Sequence, residues 1–158
     1  MQHVFWLIPD QLCGRPGPDL VPWDPAELKR GGIGAVLTVN DGFLVDLDDI
    51  RDAGLEYARI PLSANAPPLP GDFEICVEGI PQAFDFIQRV TGKGKSVMIH
   101  CTSGKDRTGL LMSYFLMRTQ GLSVDEAIRE VRRVRPIALS AIGWEEFGRQ
   151  ILQRLTAE

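Results

Sequence analysis

Apolar residues along this chain fall into short continuous runs that alternate with longer segments of helical periodicity. The short runs predict strands at 4–8, 35–39, 55–62 and 97–100. The longer segments predict helices at 23–32, 46–54, 73–90, 108–121, 123–134 and 144–155. Because strands and helices alternate, we expect an α/β fold with a central, mostly parallel sheet and helices on both of its faces.

Local signals refine this layout. Ser123 and Glu126 have the spacing of a capping box at the start of a helix. Pro81 lies within the third helical segment, so it must either begin that helix or kink it. The proline- and glycine-rich segment 12–22 is interpreted as a connector, and no other stretch resembles a linker between domains. We therefore predict a single domain over residues 1–158.

Composition narrows the classes of function. The net charge is -4 at pH 7, so nothing indicates a nucleic-acid partner, and an anion site would have to be local. The 3 cysteines and 2 histidines indicate free thiols instead of a disulfide framework or a zinc site, and we expect no metal and no cofactor. The apolar N-terminal run is short and lacks a basic leader, so we predict a cytoplasmic protein without a transmembrane segment. We also expect a monomer.

The segment VMIHCTSGKDRTGLL, residues 97–111, runs from a predicted strand through a small polar loop into an apolar helix. Ligands of open α/β sheets bind at the carboxyl ends of strands, and Cys101 directly follows this strand. The free N–H groups of a helix N-terminus attract anions. Gly104 permits unusual backbone geometry, and Arg107 supplies a planar fork for two phosphate oxygens. These residues predict a cradle for a tetrahedral oxyanion.

The same positive environment acts on the thiol of Cys101. Thiols at helix N-termini and beside cations are held as thiolates near neutral pH. Such a sulfur can attack a bound phosphorus and form a phosphocysteine, while the Thr108 hydroxyl steadies the sulfur in the second step. The alternative is a buried thiol with Arg107 and Lys105 merely on the surface. The Cys-to-Arg spacing, the strand, the helix and the glycine together favour the catalytic interpretation.

The segment HCTSGKDRTG, residues 100–109, resembles the His-Cys-x5-Arg-[Ser/Thr]-Gly signature of cysteine-dependent protein tyrosine and dual-specificity phosphatases. Its GKDRTG portion is similar to the loop of bacterial tyrosine and phosphoinositide phosphatases. The rest of the chain resembles small atypical dual-specificity phosphatases through FWLIPDQLCGRPGP, YARIPL and AIREVRRVRP. This resemblance implies a protein tyrosine phosphatase-like fold, a phosphocysteine intermediate and no metal. It also implies a phosphorylated protein or small phosphomonoester as substrate, with a phosphoinositide as the alternative.

The resemblance also gives each loop residue an expected role. Cys101 matches the nucleophile, and Arg107 matches the phosphate clamp. Thr108 matches the hydroxyl that assists breakdown of the intermediate, and His100 matches the histidine that holds the loop and the thiolate. The phosphate cradle matches the backbone of Thr102, Ser103, Gly104, Lys105, Asp106 and Arg107.

The family also uses a general acid, usually an aspartate that follows an Arg-Ile-Pro strand end in the small relatives. Here that stretch reads RIPLSANAPP and holds no carboxylate. The alternatives are Asp106 within the loop, Asp72 after the proline-rich segment, and Asp41 after the strand predicted at 35–39. We favour Asp106, with Asp72 second, because the acid must reach the leaving oxygen. Asp106 could instead complement the helix dipole, and Asp72 could be an ordinary helix N-cap.

Several further residues carry two interpretations. Lys105 either favours polyanionic substrates or is a solvated side chain. Four arginines form either a solvated helix face, which we favour, or a rim that attracts anions: Arg129, Arg132, Arg133 and Arg135. Cys13 and Cys76 are interpreted as buried thiols, either of which could protect an oxidised Cys101 in a disulfide. Trp144 is interpreted as a packing residue, at a position where some relatives have a glutamine that orients water.

The favoured hypothesis is a metal-independent phosphomonoesterase that acts on phosphotyrosine, with phosphoserine and phosphothreonine as further substrates. Two other functions stay open from the sequence alone. Without the usual general acid, the chain could be a phosphoresidue-binding module, although a binder needs no nucleophile. A rhodanese-like sulfurtransferase also places a cysteine on an anion-binding loop, but the Arg-Thr-Gly ending of this loop, 107–109, argues against it.

Overall fold

The computed structural model of this chain describes residues 1–157 and has a five-stranded sheet at its centre. The strands are β1 (Phe5–Ile8), β2 (Leu12–Arg15), β3 (Ile33–Thr38), β4 (Glu56–Arg59) and β5 (Ser96–His100). Their order across the sheet is β1-β2-β5-β3-β4. The edge strand β1 runs antiparallel to β2, and the other three pairings are parallel. The predicted α/β fold with a mostly parallel sheet is therefore confirmed.

Six helices cover the two faces of this sheet within the described residues: α1 (Pro25–Arg30), α2 (Leu47–Asp52), α3 (Asp72–Thr91), α4 (Asp106–Gln120), α5 (Val124–Val134) and α6 (Trp144–Thr156). Helices α3 to α6 enclose the larger apolar core with one face of the sheet. Helices α1 and α2 cover a smaller core on the other face. No helix within residues 1–157 has the length and apolar composition needed to cross a membrane.

Strand β5 is the central strand and determines where the following loop lies. Val97 and Ile99 join the larger core, and Met98 between them joins the smaller one. A strand that is buried on both faces favours apolar side chains, which explains the apolar run at its centre, whereas its buried ends Ser96 and His100 form hydrogen bonds. Because β5 pairs with β2 on one side and β3 on the other, its end lies in the middle of the sheet edge.

Two sequence predictions about local structure need correction or completion. The segment 12–22 is not only a connector, because it contains β2, whose four residues are all buried. Gly14 and the prolines that follow interrupt the apolar pattern, but pairing with strands on both edges outweighs this weak propensity. Pro81 lies inside α3 and does not begin that helix.

Candidate active site

The sulfur of Cys101 lies where β5 ends and the loop to α4 begins. Its side chain is buried, and Thr108 Oγ1 donates a hydrogen bond to Cys101 Sγ at 3.2 Å. Thr108 belongs to the first turn of α4, so this contact holds the sulfur against the N-terminal end of the helix. The free N–H groups and positive partial charge at that end favour an anion at this position.

The hydroxyl of Thr102, the residue after Cys101, forms hydrogen bonds with three side chains. It accepts hydrogen bonds from Arg107 Nη2 and from Asn40 Nδ2, each at 3.3 Å. It donates to Asp19 Oδ2, also at 3.3 Å. A hydroxyl has one hydrogen to donate and two lone pairs, so these contacts satisfy it completely. Through Thr102, the loops that follow β2 and β3 are therefore held against residues 101–105, here called the phosphate loop, and against the guanidinium of Arg107.

Arg135 holds the middle of this loop from the side. Its Nε donates to the carbonyl oxygen of Gly104 at 3.1 Å, and its Nη2 donates to that of Ser103 at 2.6 Å. The guanidinium also lies over the ring of Phe5, 5.0 Å from the centroid. Within a trans peptide plane the carbonyl and the next N–H point in opposite directions. The N–H groups of Gly104 and Lys105 are therefore turned away from Arg135.

Gly104 is the residue that permits this bend. Its φ is 68°, in the left-handed region that side chains disfavour. A Cβ at this position would also lie 2.8 Å from the carbonyl carbon and oxygen of Arg15. Both the backbone conformation and the available space therefore require glycine.

The buried histidine before Cys101 belongs to a chain of hydrogen bonds. Tyr57 donates its hydroxyl hydrogen to Thr38 Oγ1 at 2.8 Å, and Thr38 Oγ1 lies 2.6 Å from His100 Nε2. Nδ1 lies 3.0 Å from the carbonyl oxygen of Cys101. Because that carbonyl can only accept, Nδ1 carries the hydrogen and Nε2 accepts from Thr38. Burial lowers the pKa of His100 to about 4, so the ring is neutral at pH 7.

Asp106 begins α4 and is held at both of its carboxylate oxygens. Oδ2 lies 2.6 Å from Lys105 Nζ in a mostly buried ion pair. Oδ1 accepts a hydrogen bond from the backbone N–H of Ala141 at 3.2 Å. The sequence favours Asp106 as the general acid and leaves Lys105 as either a contact for polyanions or a solvated side chain, whereas the structure pairs the two with each other.

Asp72 is buried at the start of α3, where its carboxylate gathers the proline-rich segment. It accepts hydrogen bonds from Ser63 Oγ, Asn65 Nδ2 and the N–H of Leu69. The hydrogen bond from the Leu69 N–H contributes most to lowering the pKa of this carboxyl below its usual range, although burial opposes the shift. Trp144 is also buried, and its Nε1 donates to the carbonyl oxygen of Asn65 at 2.8 Å. The packing role predicted for Trp144 is confirmed.

A cleft of about 450 Å³ opens beside Arg107 and Thr102. Its walls include the apolar side chains of Phe43 and Leu44, on the loop after β3. Two carboxylates line it, and they belong to Asp19 and Asp41. Asp106 and Asp72 are not among the described residues that line this cleft.

The three cysteines are free and buried within the described residues. Burial raises the pKa of Cys76 to about 11 and also raises that of Cys13. Both are therefore ordinary core thiols, whereas Cys101 has a hydroxyl donor on its sulfur. No three His, Cys, Asp or Glu side chains among residues 1–157 are grouped as a metal site requires.

Sequence reasoning missed several residues of this site because they come from distant segments. Arg135 was grouped with three other arginines, and nothing in the helical pattern distinguishes it from them. Arg15 is almost fully buried and donates to three carbonyl oxygens of the following loop, those of Pro16, Val21 and Pro22. Asp19 and Asn40 belong to the site because both form hydrogen bonds with the Thr102 hydroxyl. The signal in the sequence is Arg15 beside the turn residues Pro16 and Gly17, within the segment interpreted from the sequence as a connector.

The chain is similar in sequence to known phosphatases. Residues 25–153 match the model of the dual specificity phosphatase catalytic domain. A phosphatidylglycerophosphate phosphatase of Arabidopsis thaliana, PTPMT1, is 27% identical over 127 residues, which cover 78% of this chain and 36% of that protein. Dual specificity protein phosphatase 12 of Mus musculus is 28% identical over 122 residues, covering 77% of this chain and 34% of that protein. The chain therefore spans about a third of the length of these curated relatives.

Solved structures are similar over nearly the whole chain. The active form of Tk-PTP superposes with a TM-score of 0.78 at 25% identity and covers 98% of this chain and 96% of its own. PTPMT1 in complex with PI(5)P superposes with a TM-score of 0.74 at 16% identity, covering 99% and 98% of the two chains, which shows a shared fold. With the family model matched over most of its length and the fold of these enzymes around Cys101, this chain belongs to the dual specificity phosphatase catalytic domain family.

Proposed function

We propose that this chain hydrolyses phosphomonoesters, phosphotyrosine above all, through a phosphocysteine on Cys101. The observation that carries the proposal is the position of Cys101 Sγ, 3.2 Å from Thr108 Oγ1 at the N-terminal end of α4, whose first turn also carries Arg107. The sulfur attacks phosphorus, and the leaving oxygen departs with a proton. Water then attacks phosphorus, phosphate leaves, and the Thr108 hydroxyl stabilises the departing thiolate.

The loop supplies the charges that the transition state needs. Arg107 donates one hydrogen bond to Thr102 at 3.3 Å. Replacing it with bonds to two phosphate oxygens therefore costs little free energy. The N–H groups that Arg135 turns away from itself provide further donors to the equatorial oxygens. Donors fixed before the substrate arrives need no reorganisation during the reaction, which is why such sites accelerate phosphoryl transfer.

His100 has a positioning role in this proposal. Its ring is neutral and buried, so it contributes no positive charge to the thiolate. Its Nδ1 instead fixes the carbonyl of Cys101, and Thr38 fixes the ring from the other side. The histidine therefore orients the backbone from which the sulfur projects, as the resemblance implied for the loop.

The charges near the site favour phosphotyrosine over a polyphosphorylated inositide. Lys105 is the cation beside Arg107 that could attract a further phosphate group, and Asp106 neutralises it at 2.6 Å. The cleft carries the carboxylates of Asp19 and Asp41, which repel additional phosphate groups. The named activity of PTPMT1, hydrolysis of phosphatidylglycerophosphate, is the second candidate, because its substrate carries one terminal phosphomonoester.

The general acid, the domain count, the cellular location and the oligomeric state are also matters of proposal. The ion pair of Asp106 and the three donors to Asp72 support a structural role for both residues, in place of general acid catalysis. The similarity of the GKDRTG loop to bacterial enzymes also remains an interpretation of sequence. A single domain over 1–158, a cytoplasmic location and a monomeric state stay predictions, and free cysteines support the location.

The proposal is tested with the variants Cys101→Ser and Cys13→Ala, assayed with an aryl phosphate and with a phosphotyrosine peptide. We expect the first to abolish hydrolysis of both substrates and the second to retain it, since Cys13 is buried on the other side of the sheet. Vanadate should inhibit the wild-type chain. Hydrolysis that survives in Cys101→Ser would refute the phosphocysteine route.

A further inference from the structure

The carboxylates expected to protonate the leaving group have other partners in the structure. Asp106 is occupied by Lys105 and the Ala141 N–H, and Asp72 is buried under the proline-rich segment. Yet a phenolate or alkoxide leaves poorly without a proton, and an acid typically contributes 10²–10⁴-fold to the rate. A carboxylate that faces the space occupied by the leaving group is therefore needed.

Asp19 lies in the cleft that opens beside Arg107. It lines the same cleft as Arg107 and Thr102, and its Oδ2 accepts the hydrogen of Thr102 Oγ1 at 3.3 Å. Thr102 also accepts a hydrogen bond from Arg107 and directly follows Cys101 in the chain, so one side chain connects Asp19 to the phosphate clamp. The side chain is exposed, as an acid that meets an incoming substrate must be.

The loop that carries Asp19 is held rigidly against the phosphate loop. The N–H of Gly17 donates to the carbonyl oxygen of Thr102 at 2.9 Å. A Cβ on Gly17 would lie 2.2 Å from the carbonyl oxygen of Cys101 and 2.7 Å from Asp19 Oδ1, so only glycine allows this approach. Arg15 fixes the far end of the loop by donating to the carbonyl oxygens of Val21 and Pro22. The position of Asp19 is therefore set by the fold.

We propose that Asp19 is the general acid of this enzyme, which rests on the phosphatase function proposed above. In the first step Cys101 sulfur bonds to phosphorus, the bond from phosphorus to the ester oxygen breaks, and the carboxyl proton of Asp19 moves to that oxygen. In the second step water attacks phosphorus, the Asp19 carboxylate takes its proton, and the sulfur–phosphorus bond breaks. Inorganic phosphate is released, and both groups return to their starting forms.

Asp41 is the rival within the cleft, and the geometry favours Asp19. Asp41 is exposed on the loop after β3, and its backbone carbonyl, not its carboxylate, is the group that accepts a hydrogen bond from Arg59. Within the described residues its carboxylate has no hydrogen bond to the phosphate loop, whereas that of Asp19 has one through Thr102. General acids need a fixed position relative to the leaving oxygen, which this contact provides.

The test compares Asp19→Asn with Asp41→Asn, which makes the same charge change in the same cleft. Each variant is assayed with phenyl phosphate, whose leaving group needs a proton, and with a fluorinated coumarin phosphate, whose leaving group does not. Asp19→Asn should lower kcat/KM on phenyl phosphate by about 10²–10⁴-fold and change the coumarin substrate by less than about 10-fold. Asp41→Asn should change both substrates equally and by only a few-fold.

Two outcomes would overturn the assignment. One is an equal loss on both substrates in Asp19→Asn, and the other is a leaving-group-dependent loss in Asp41→Asn or Asp106→Asn with none in Asp19→Asn. Thermal unfolding of each variant excludes a folding defect as the cause, and Asp19→Glu should recover part of the activity on phenyl phosphate. If instead Cys101→Ser hydrolyses the coumarin substrate, it is the phosphocysteine mechanism that fails.

Discussion

Nη2 of Arg135 lies 2.6 Å from the carbonyl oxygen of Ser103, which joins the C-cap of α5 to the loop after β5. Together with the bond from Nε to the Gly104 carbonyl, it anchors two successive peptide planes of that loop. Burial lowers the pKa of Arg135, and the electrostatic interaction with Cys101 opposes this shift. Arg135 is thus a second guanidinium close to Cys101. It binds the backbone carbonyls of the loop, whereas Arg107 binds the Thr102 hydroxyl beside the cleft.

Arg135→Gln should lower both catalytic activity and stability. The two bonds to a charged donor are each worth about 1.5–3 kcal/mol, so losing the orientation of the loop amides should lower kcat/KM roughly 10–100-fold. Arg135→Lys should recover part of the loss by restoring one donor. Arg133→Gln is the matched control, because Arg133 is largely exposed and pairs only with Glu130. Unchanged kcat/KM in Arg135→Gln would show that the loop does not need this anchor.

Comparing Gly104→Ala with Gly121→Ala separates the cost of an unfavourable backbone conformation from the cost of a steric clash. Both glycines have a φ of 68°, but a Cβ on Gly121 would meet nothing within 4 Å, whereas one on Gly104 would meet the backbone of Arg15. Gly121→Ala should therefore cost only the conformational penalty of about 1–2 kcal/mol in unfolding free energy. Gly104→Ala should cost more and should abolish vanadate inhibition. Urea unfolding and vanadate titration of the two variants provide the comparison, and equal effects would contradict the tight fit.

His100 should make stability depend on pH in a defined window. Its folded pKa is about 4, below the unfolded value of about 6.5, so the unfolded state binds the proton first. The stabilisation is complete above pH 6.5 and is lost as the pH falls to 4, by about 3 kcal/mol in total. Urea unfolding at several pH values should show this loss, and His100→Gln should reduce it. His3→Gln, at the exposed histidine, should leave the dependence unchanged, and a wild-type curve that is flat between pH 6.5 and 5 would contradict the account.

Asp72→Asn should destabilise the chain without a leaving-group-dependent loss of activity. An amide keeps only one acceptor oxygen, so it cannot accept from Ser63 Oγ and from the Leu69 N–H together, which we expect to cost about 1–3 kcal/mol of unfolding free energy at pH 7. Because the pKa of Asp72 is lowered in the fold, this stabilisation is lost as the pH falls through that lowered value. Urea unfolding and the phenyl to coumarin rate ratio check both parts.

The control for that variant is Asp85→Asn, at an exposed position of the same helix. It should change neither stability nor activity. If Asp72→Asn slows phenyl phosphate far more than the coumarin substrate, Asp72 would be the acid, as the sequence suggested in second place.

The sequence predicts the contiguous part of this site well. Cys101, Arg107 and Thr108 lie within one strand–loop–helix segment, so their spacing and the apolar runs around them indicate the geometry directly. Continuous apolar runs also predict β3 and β5, because strands buried on both faces are predominantly apolar.

The rest of the site depends on contacts between distant segments. Thr102 and Asp19 are separated by 83 residues, and Arg135 lies more than thirty residues beyond the carbonyls that it holds. Such pairs leave no periodic pattern in a single sequence. β2 was missed for a related reason, since pairing across the sheet decides its conformation against the preference of Gly14. The sequence favours Asp106 as the acid because it lies next to Arg107, and it gives no sign of the hydrogen bond from Ala141, 35 residues further along the chain.

The central claim is that the sulfur of Cys101 bonds covalently to phosphorus during turnover. The direct measurement is rapid acid quenching of the wild-type chain during hydrolysis of an aryl phosphate, followed by mass spectrometry of its peptides. The account predicts one phosphoryl group on Cys101, more of it in Thr108→Ala because breakdown slows, and none in Cys101→Ser. Full turnover with no phosphorylated peptide in wild type or Thr108→Ala, or with phosphorus on another residue, would contradict it.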